Sequence, residues 1–378
     1  MHGELSGEGE KVIVAGVEAE NVELKGYGRK EGKGAKGAQA GTVTLSLEEA
    51  AYLLEAGKLI ITREQEKGPA LTREELLQHA VERIPNFGAR YLTYKDLKER
   101  GYIVQTGGVD FWLLPRGSKP GEKPARHFIR ILSERAYVSV KDLEELLRLA
   151  HNMRKEPIIA VVDDESDVTY FEVKEVTFDV VEPREVAHEE VKREERIKGI
   201  AFVLGDKVIV RDTEVAERLY KDHFYGTLTK DKYLLLSLVE AVYVTKKGRL
   251  ALDFERFVEY ATAVESDFMA KYAVYEDLRE KGLILKTGFK FGSHFRVYWA
   301  INKKHSTDLI QVLPGAHVFS MPELARAVRL AHGVKKRMIF VYQTPEMAVK
   351  KTAPHASYPP SGKRAPQLSY VDIGRMKL

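Results

Sequence analysis

Apolar and polar residues alternate along the first strand-like stretch, shift to a helical period, and then run through the same succession again. Lys11–Gly26 (KVIVAGVEAENVELKG) alternates in part and predicts strands. Leu45–Ala56 predicts a helix: Ser46 stands as N-cap, Glu49 follows three residues on, and Gly57 supplies the stop. Thr72–Arg83 repeats that opening with Thr72 and Glu75, and Tyr94–Arg100 predicts a further helix ended by Gly101. Phe111–Leu114, Phe128–Leu132, Ile158–Val162 and Thr169–Phe178 are rich in β-branched and aromatic residues and predict strands. A helix is expected over Val140–His151, between the second and third of them. The back part of this half is thus a mixed sheet with helices packed on it.

The second half follows the same plan. Lys198–Asp212 predicts two strands joined at Gly-Asp, and helices are expected over Thr213–Asp222, Ser237–Lys247, Phe254–Ala263 and Tyr275–Lys281. RVYWAI, LIQVL, RMIFVY and LSYVDI supply the later strands. The likeness extends to the residues themselves. Tyr91–Gly107 (YLTYKDLKERGYIVQTG) matches Tyr272–Gly288 (YAVYEDLREKGLILKTG), and Leu146–Lys155 matches Ala327–Lys336, both 181 residues apart. Leu45–Leu59 matches Leu236–Leu250 at a separation of 191. The fold class is therefore α/β (mixed α+β), a tandem repeat of two units, each with a small front domain and a back domain. The expected limits are 1–88 and 89–181 for the first unit, 198–268 and 269–378 for the second. The charge run 182–197 is read as a solvated linker.

Composition narrows the class. A chain of 378 residues with 44% hydrophobic residues is long enough for several domains with real cores. It has no cysteine, which removes disulfides and thiolate metal sites. No apolar run is long enough to span a bilayer, and the start MHGELSGEGEKV has no apolar signal core, so the expected location is the cytoplasm. Net charge is +4 with a pI of about 8.8, compatible with nucleic acid without demanding it.

Three stretches concentrate the chemistry: KTGFKFGSHFRVY (Lys286–Tyr298), the spaced His305-Ser306, and ARAVRLAHGVKK (Ala325–Lys336). Together they resemble the archaeal tRNA-splicing endonucleases (tRNA-intron lyases), in the form that fuses two family units in one chain. The resemblance covers both units from about residue 11 onward. It implies a restriction-endonuclease-like back domain, a homodimer presenting four units, and a precursor tRNA substrate cut at bulge–helix–bulge motifs. It further implies metal-independent cleavage, with no cofactor, to a 2′,3′-cyclic phosphate and a 5′-hydroxyl.

Such cleavage uses the substrate's own 2′-OH. It needs a base for the 2′ proton, an acid for the departing 5′ oxygen, and a cation for the charge of the transition state. The resemblance makes Tyr298 the base. A phenol ordinarily ionises near pH ~10, so nearby cations have to favour its anion. His305 is the implied acid, a role suited to a side chain that titrates near neutrality. The implied cation is Lys336 or its neighbour Lys335; the family spacing and the repeat, which sets Lys336 on Lys155, favour Lys336. Arg329 and Arg375 match family arginines that sandwich a bulged base, and Arg329, two helical turns before Lys336, is expected on its face. Acidic residues between Lys286 and Lys336 are only Asp308 and Glu323, without the spacing of a metal-dependent nuclease.

The first unit keeps Arg148 and Lys155 but sets Leu114 where Tyr298 stands, Pro124 where His305 stands and Glu175 where Arg375 stands. It is expected to be inactive. Its loop Asp163, Asp164, Glu165, Ser166, Asp167 carries four carboxylates in five residues. By resemblance this loop docks into a basic pocket of a catalytic unit across the dimer, and opposite charge would register the assembly. The Lys- and Arg-bearing insertion 347–367 is its counterpart, a contact to RNA phosphates, or a basic loop unrelated to it. Two rivals stay open: a non-catalytic RNA-binding or assembly subunit, and a metal-dependent nuclease of similar fold.

Overall fold

The computed structural model describes residues 1–6, 8–30, 41–63, 69–117, 123–180, 199–300, 303, 305–343 and 367–378. The charge run 182–197 and all but the last residue of the insertion 347–367 lie outside the described residues.

In the first unit, strands β1 (His2–Leu5) and β2 (Lys11–Ala15) lead into helix α1 (Val17–Leu24) and strand β3 (Arg29–Lys30). Strand β4 (Thr42–Ser46) then feeds α2 (Leu47–Glu55), β5 (Ile60–Arg63) and α3 (Arg73–Arg83). The sheet order is β3-β4-β2-β1-β5, antiparallel except for the β1–β5 pair. The expected Ser46–Glu49 and Thr72–Glu75 capping boxes are both formed. The strand expected to run from Lys11 to Gly26 stops at Ala15. Gly16 turns at φ +76°, and Ala19 and Val22 then bury one face at the i, i+3 spacing of a helix.

Next come α4 (Phe87–Glu99), β6 (Val104–Gly107), β7 (Val109–Leu113), β8 (His127–Ser133), β9 (Tyr137–Ser139), α5 (Val140–Met153), β10 (Glu156–Val162) and β11 (Val168–Glu175). These strands lie in the order β6-β7-β8-β10-β11, with β8 and β10 parallel and joined by the α5 crossover. Helix α4 starts seven residues before the expected Tyr94, because Phe87, Tyr91, Tyr94 and Leu97 form one continuous buried stripe.

The second unit has its own front sheet, β12 (Ala201–Leu204), β13 (Lys207–Val210), β14 (Thr227–Leu228) and β15 (Leu234–Ser237), ordered β12-β13-β15-β14 and antiparallel throughout. Helices α6 (Thr213–Lys221), α7 (Leu238–Lys246) and α8 (Phe254–Val264) accompany it. Helix α9 (Phe268–Glu280) carries the same stripe as α4, with Phe268, Tyr272, Tyr275 and Leu278 buried, so it too begins seven residues before its expected start.

After α9 come β16 (Ile284–Thr287), β17 (Phe295–Tyr298), β18 (Asp308–Val312), β19 (Val318–Ser320), α10 (Met321–Gly333), β20 (Arg337–Gln343) and β21 (Leu368–Met376). The order β16-β17-β18-β20-β21 reproduces that of the first unit, again with a parallel pair, β18 and β20. Ile310, Val312, Ile339 and Val341 share the core of the α9 stripe. The intervening Leu309, Met338 and Phe340 are buried toward the opposite face, so these two strands read as near-continuous apolar runs.

Candidate active site

The chemistry-bearing residues gather where β17, β18 and β20 end or begin side by side. Tyr298 closes β17. Its register partner is Ile284, and 8% of its surface is exposed. Its ring meets that of Phe224 edge-on at 6.3 Å, and the Arg296 guanidinium stands 5.8 Å from it. His305 lies exposed on the far side of the turn, three residues before β18 begins. Lys336 is half-buried just ahead of β20, and its ammonium donates to the Ser306 carbonyl at 2.5 Å. Burial pushes this lysine below its usual range, and the charge of Arg296 adds to the effect.

Backbone geometry separates the two adjacent lysines. Lys335 turns left-handed at φ +55°, and its side chain is exposed. The Lys336 N–H returns to the Ala331 carbonyl at 2.9 Å and closes the helix end. Because α10 stops at Gly333, the helical-face argument linking Arg329 to Lys336 does not hold. Arg329 is exposed on the last turns of α10, and Arg375 is exposed near the end of β21.

A polar chain braces the turn from both ends. The Trp299 indole N–H donates to Thr307 Oγ1 at 2.9 Å, and the Thr307 hydroxyl donates to Asp308 Oδ2 at 2.7 Å. Asp308, fully buried, receives Arg337 Nε at 2.6 Å. Backbone bonds add to this: Thr307 N–H to the Val297 carbonyl at 3.1 Å, and Arg337 N–H to the Thr307 carbonyl at 3.2 Å. None of Arg296, Trp299, Thr307, Asp308 and Arg337 was singled out as a site residue from sequence. An acidic residue opening the apolar strand DLIQV was the available signal for Asp308, since a buried carboxylate requires partners.

His294 is also placed structurally. Its Nδ1 accepts the Val312 N–H at 3.0 Å, and burial lowers its pKa. Asp110 makes the matching bond in the first unit, to the Ile131 N–H at 2.8 Å.

The first unit shows the same scaffold with other side chains. Phe111 pairs with Ile129 as Phe295 pairs with Ile310, which sets buried Leu114 in the place of Tyr298. His127 opens β8 where Asp308 opens β18. It bonds Glu156 at 3.0 Å, the reverse polarity of the Asp308–Arg337 pair, so it does not substitute for His305. Lys155 retains the helix-closing bond of Lys336, to the Ala150 carbonyl at 3.0 Å.

The acidic loop is a tight turn between β10 and β11. Asp163 Oδ1 accepts the N–H groups of Glu165 and Asp167 at 3.0 and 2.8 Å, and Arg135 holds Asp164 at 2.5 Å. Glu165 and Asp167 are exposed. Among the described residues, no three His, Asp or Glu side chains are grouped as a metal ion would need, and no helix is long and apolar enough to cross a membrane.

Comparison with known proteins matches both halves of the chain. The family model of the tRNA intron endonuclease N-terminal domain matches residues 1–77 and 200–259. That of the tRNA intron endonuclease catalytic C-terminal domain matches 87–170 and 268–350. The chain is 39% identical to a tRNA-splicing endonuclease of Methanosarcina mazei over 346 residues, covering 88% of this chain and 89% of that one. It is 37% identical to the tRNA-splicing endonuclease of Methanococcoides burtonii over 364 residues, 93% of each chain. It is 34% identical to that of Haloarcula marismortui, covering 90% and 95%. Two copies each of both domains, in the order these relatives share over nearly their whole length, make this chain a member of the tRNA intron endonuclease family, in its archaeal fused form.

Proposed function

We propose that the chain is a tRNA-splicing endonuclease whose second unit cuts precursor tRNA at bulge–helix–bulge motifs. The observation that carries this is the meeting of Tyr298, the His305–Ser306 segment and Lys336 at the ends of three adjacent strands, together with the loss of the tyrosine and the histidine at Leu114 and Pro124 in the first unit.

The reaction is a transesterification. The 2′ oxygen attacks the adjacent phosphorus and gives its proton to the Tyr298 phenolate. The bond to the 5′ oxygen breaks, and that oxygen takes a proton from the His305 imidazolium. The products are a 2′,3′-cyclic phosphate and a 5′-hydroxyl. The Lys336 ammonium offsets charge on the non-bridging oxygens. The Arg296 guanidinium, 5.8 Å from the Tyr298 ring, adds a second cation on the side of the proposed base. Arg329 and Arg375 are assigned to the bulged bases, where a planar guanidinium can stack and pair with phosphate.

The first unit, with domains meeting near 88/89, is assigned to assembly. In a homodimer its exposed Glu165 and Asp167 present negative charge to a catalytic unit, with Asp163 and Asp164 shaping the turn. The second unit's domains meet near 268/269. Cleavage of a bulge–helix–bulge RNA in excess EDTA, with end-group analysis of the products, tests the reading. Cyclic phosphate ends at an undiminished rate are expected, and loss of cutting with chelator would refute the metal-independent route.

A further inference from the structure

The front domain of the second unit sets Phe224 against the candidate active site. Phe224 lies just after α6, and its ring meets Tyr298 at 6.3 Å with an interplanar angle of 75°. Its backbone is left-handed, φ +57°, a region that bulky side chains rarely enter. The Lys286 ammonium lies 4.4 Å from the Phe224 ring centre and donates to the Gly226 carbonyl. The ring is therefore held against Tyr298 by a cation as well as by packing.

The repeat provides an internal control. Gly226 and Gly28 occupy the same place, each donating its N–H at 2.9 Å to the capping-box glutamate of the following helix, Glu240 or Glu49. The tyrosine before each receives a cation over its ring, Arg279 on Tyr225 at 4.4 Å and Lys98 on Tyr27 at 3.9 Å. One residue earlier, both chains are left-handed: Phe224 at +57° and Gly26 at +75°. In the first unit this position holds glycine, the residue with least to lose there. A side chain added at Gly26 would meet Ile103 at 3.3 Å. Ile103 is the counterpart of Ile284, the register partner of Tyr298. The unit with leucine in the tyrosine's place therefore has the relaxed residue, and the unit with Tyr298 keeps an aromatic ring in a strained backbone. Strain that persists beside a reactive group points to a task there.

We propose that Phe224 is a positioning residue for Tyr298, fixing the tilt of the phenol ring so that its oxygen faces the 2′-OH. This rests on the assignment of Tyr298 as base. Phe224→Gly installs the first unit's own residue and relieves the backbone. It is expected to lower single-turnover kcat about 10- to 100-fold, because a small misplacement of a reacting group has effects of that size. KM stays within about 3-fold, as expected for a residue acting in the chemical step. Phe224→Tyr restores the rate. In a Tyr298→Phe background, Phe224→Gly brings no further loss. If Phe224→Gly melts early, Phe224→Asn repeats the test with a residue that tolerates the left-handed region.

A folded variant without the ring that cuts at the wild-type rate overturns the inference. So does a loss confined to KM, or an equal loss on the Tyr298→Phe background. Tyr298→Phe cutting normally by itself removes the base assignment and this inference together. A slow Tyr298→Phe beside a fast Phe224→Gly removes the inference only.

Discussion

Lys336 donates to the carbonyl of Ser306, so the cation of the candidate site is tied to the residue that follows His305. The bond fixes the Lys336 ammonium before RNA arrives, and preorganised charge of this kind needs little rearrangement during reaction. Lys336→Ala should lower single-turnover cleavage by about 100-fold or more while leaving the thermal transition nearly unchanged. Quench-flow rates alongside calorimetry check it; a rate within a few-fold of wild type removes Lys336 from the site.

His305 stands exposed at the edge of the turn, where its loss leaves no cavity. His305→Ala should cut at least ~100-fold more slowly, the usual contribution of a positioned acid. An RNA with a good leaving group at the scissile 5′ position, which needs no protonation, should recover most of that loss. Equal slowing of both substrates would argue against the acid role.

Asp308 is fully buried against Arg337 and Thr307. Among the described residues, Arg337→Met leaves that carboxylate with the Thr307 hydroxyl as its side-chain partner. The Arg337 side chain is 47% exposed, so water already shares the interaction. The expected loss is about 1–3 kcal/mol, read by denaturant unfolding. Restoration by Asp308→Asn in the same chain would identify buried charge as the cause.

Burial pushes Lys98 and Lys286 each down to about 8. An unfolded lysine titrates near ~10.4. Between these values the unfolded chain holds protons the folded chain has released, so the contribution of these groups to stability rises with pH. Lys286→Met should therefore gain most, relative to wild type, at pH 7, and the gain should shrink by pH 10. A melting difference that does not change with pH would contradict this.

The exposed members of the acidic loop separate assembly from local folding. Glu165→Lys with Asp167→Lys should weaken self-association in sedimentation while the turn persists on Asp163. Asp163→Ala should instead loosen the turn, because its carboxylate receives two backbone N–H groups. An undiminished dimer with both lysines in place would refute the docking role.

The capping boxes and the back-domain strands were legible because each rests on local spacing, and the repeat because two stretches share their residues outright. Ser46 and Glu49, or Thr72 and Glu75, lie within one helical turn of each other. The helix over Val17–Leu24 was hidden by an alternating stretch that Gly16 cuts short. The link from Arg329 to Lys336 failed for a related reason: the residues between them suggest helix, while the end of α10 and the left-handed Lys335 interrupt it. Phe224 and Arg296 were out of reach because their importance depends on contacts with Tyr298 that folding creates.

The Trp299–Thr307 bond brings the chain back to itself across the turn between Tyr298 and His305. The outer ends of that excursion are anchored to β17, β18 and β20 independently of what lies between them. The register of β17, β18 and β20 is therefore secured by the bonds at their own ends, and a change of length between Ala300 and His305 is expected to leave it in place.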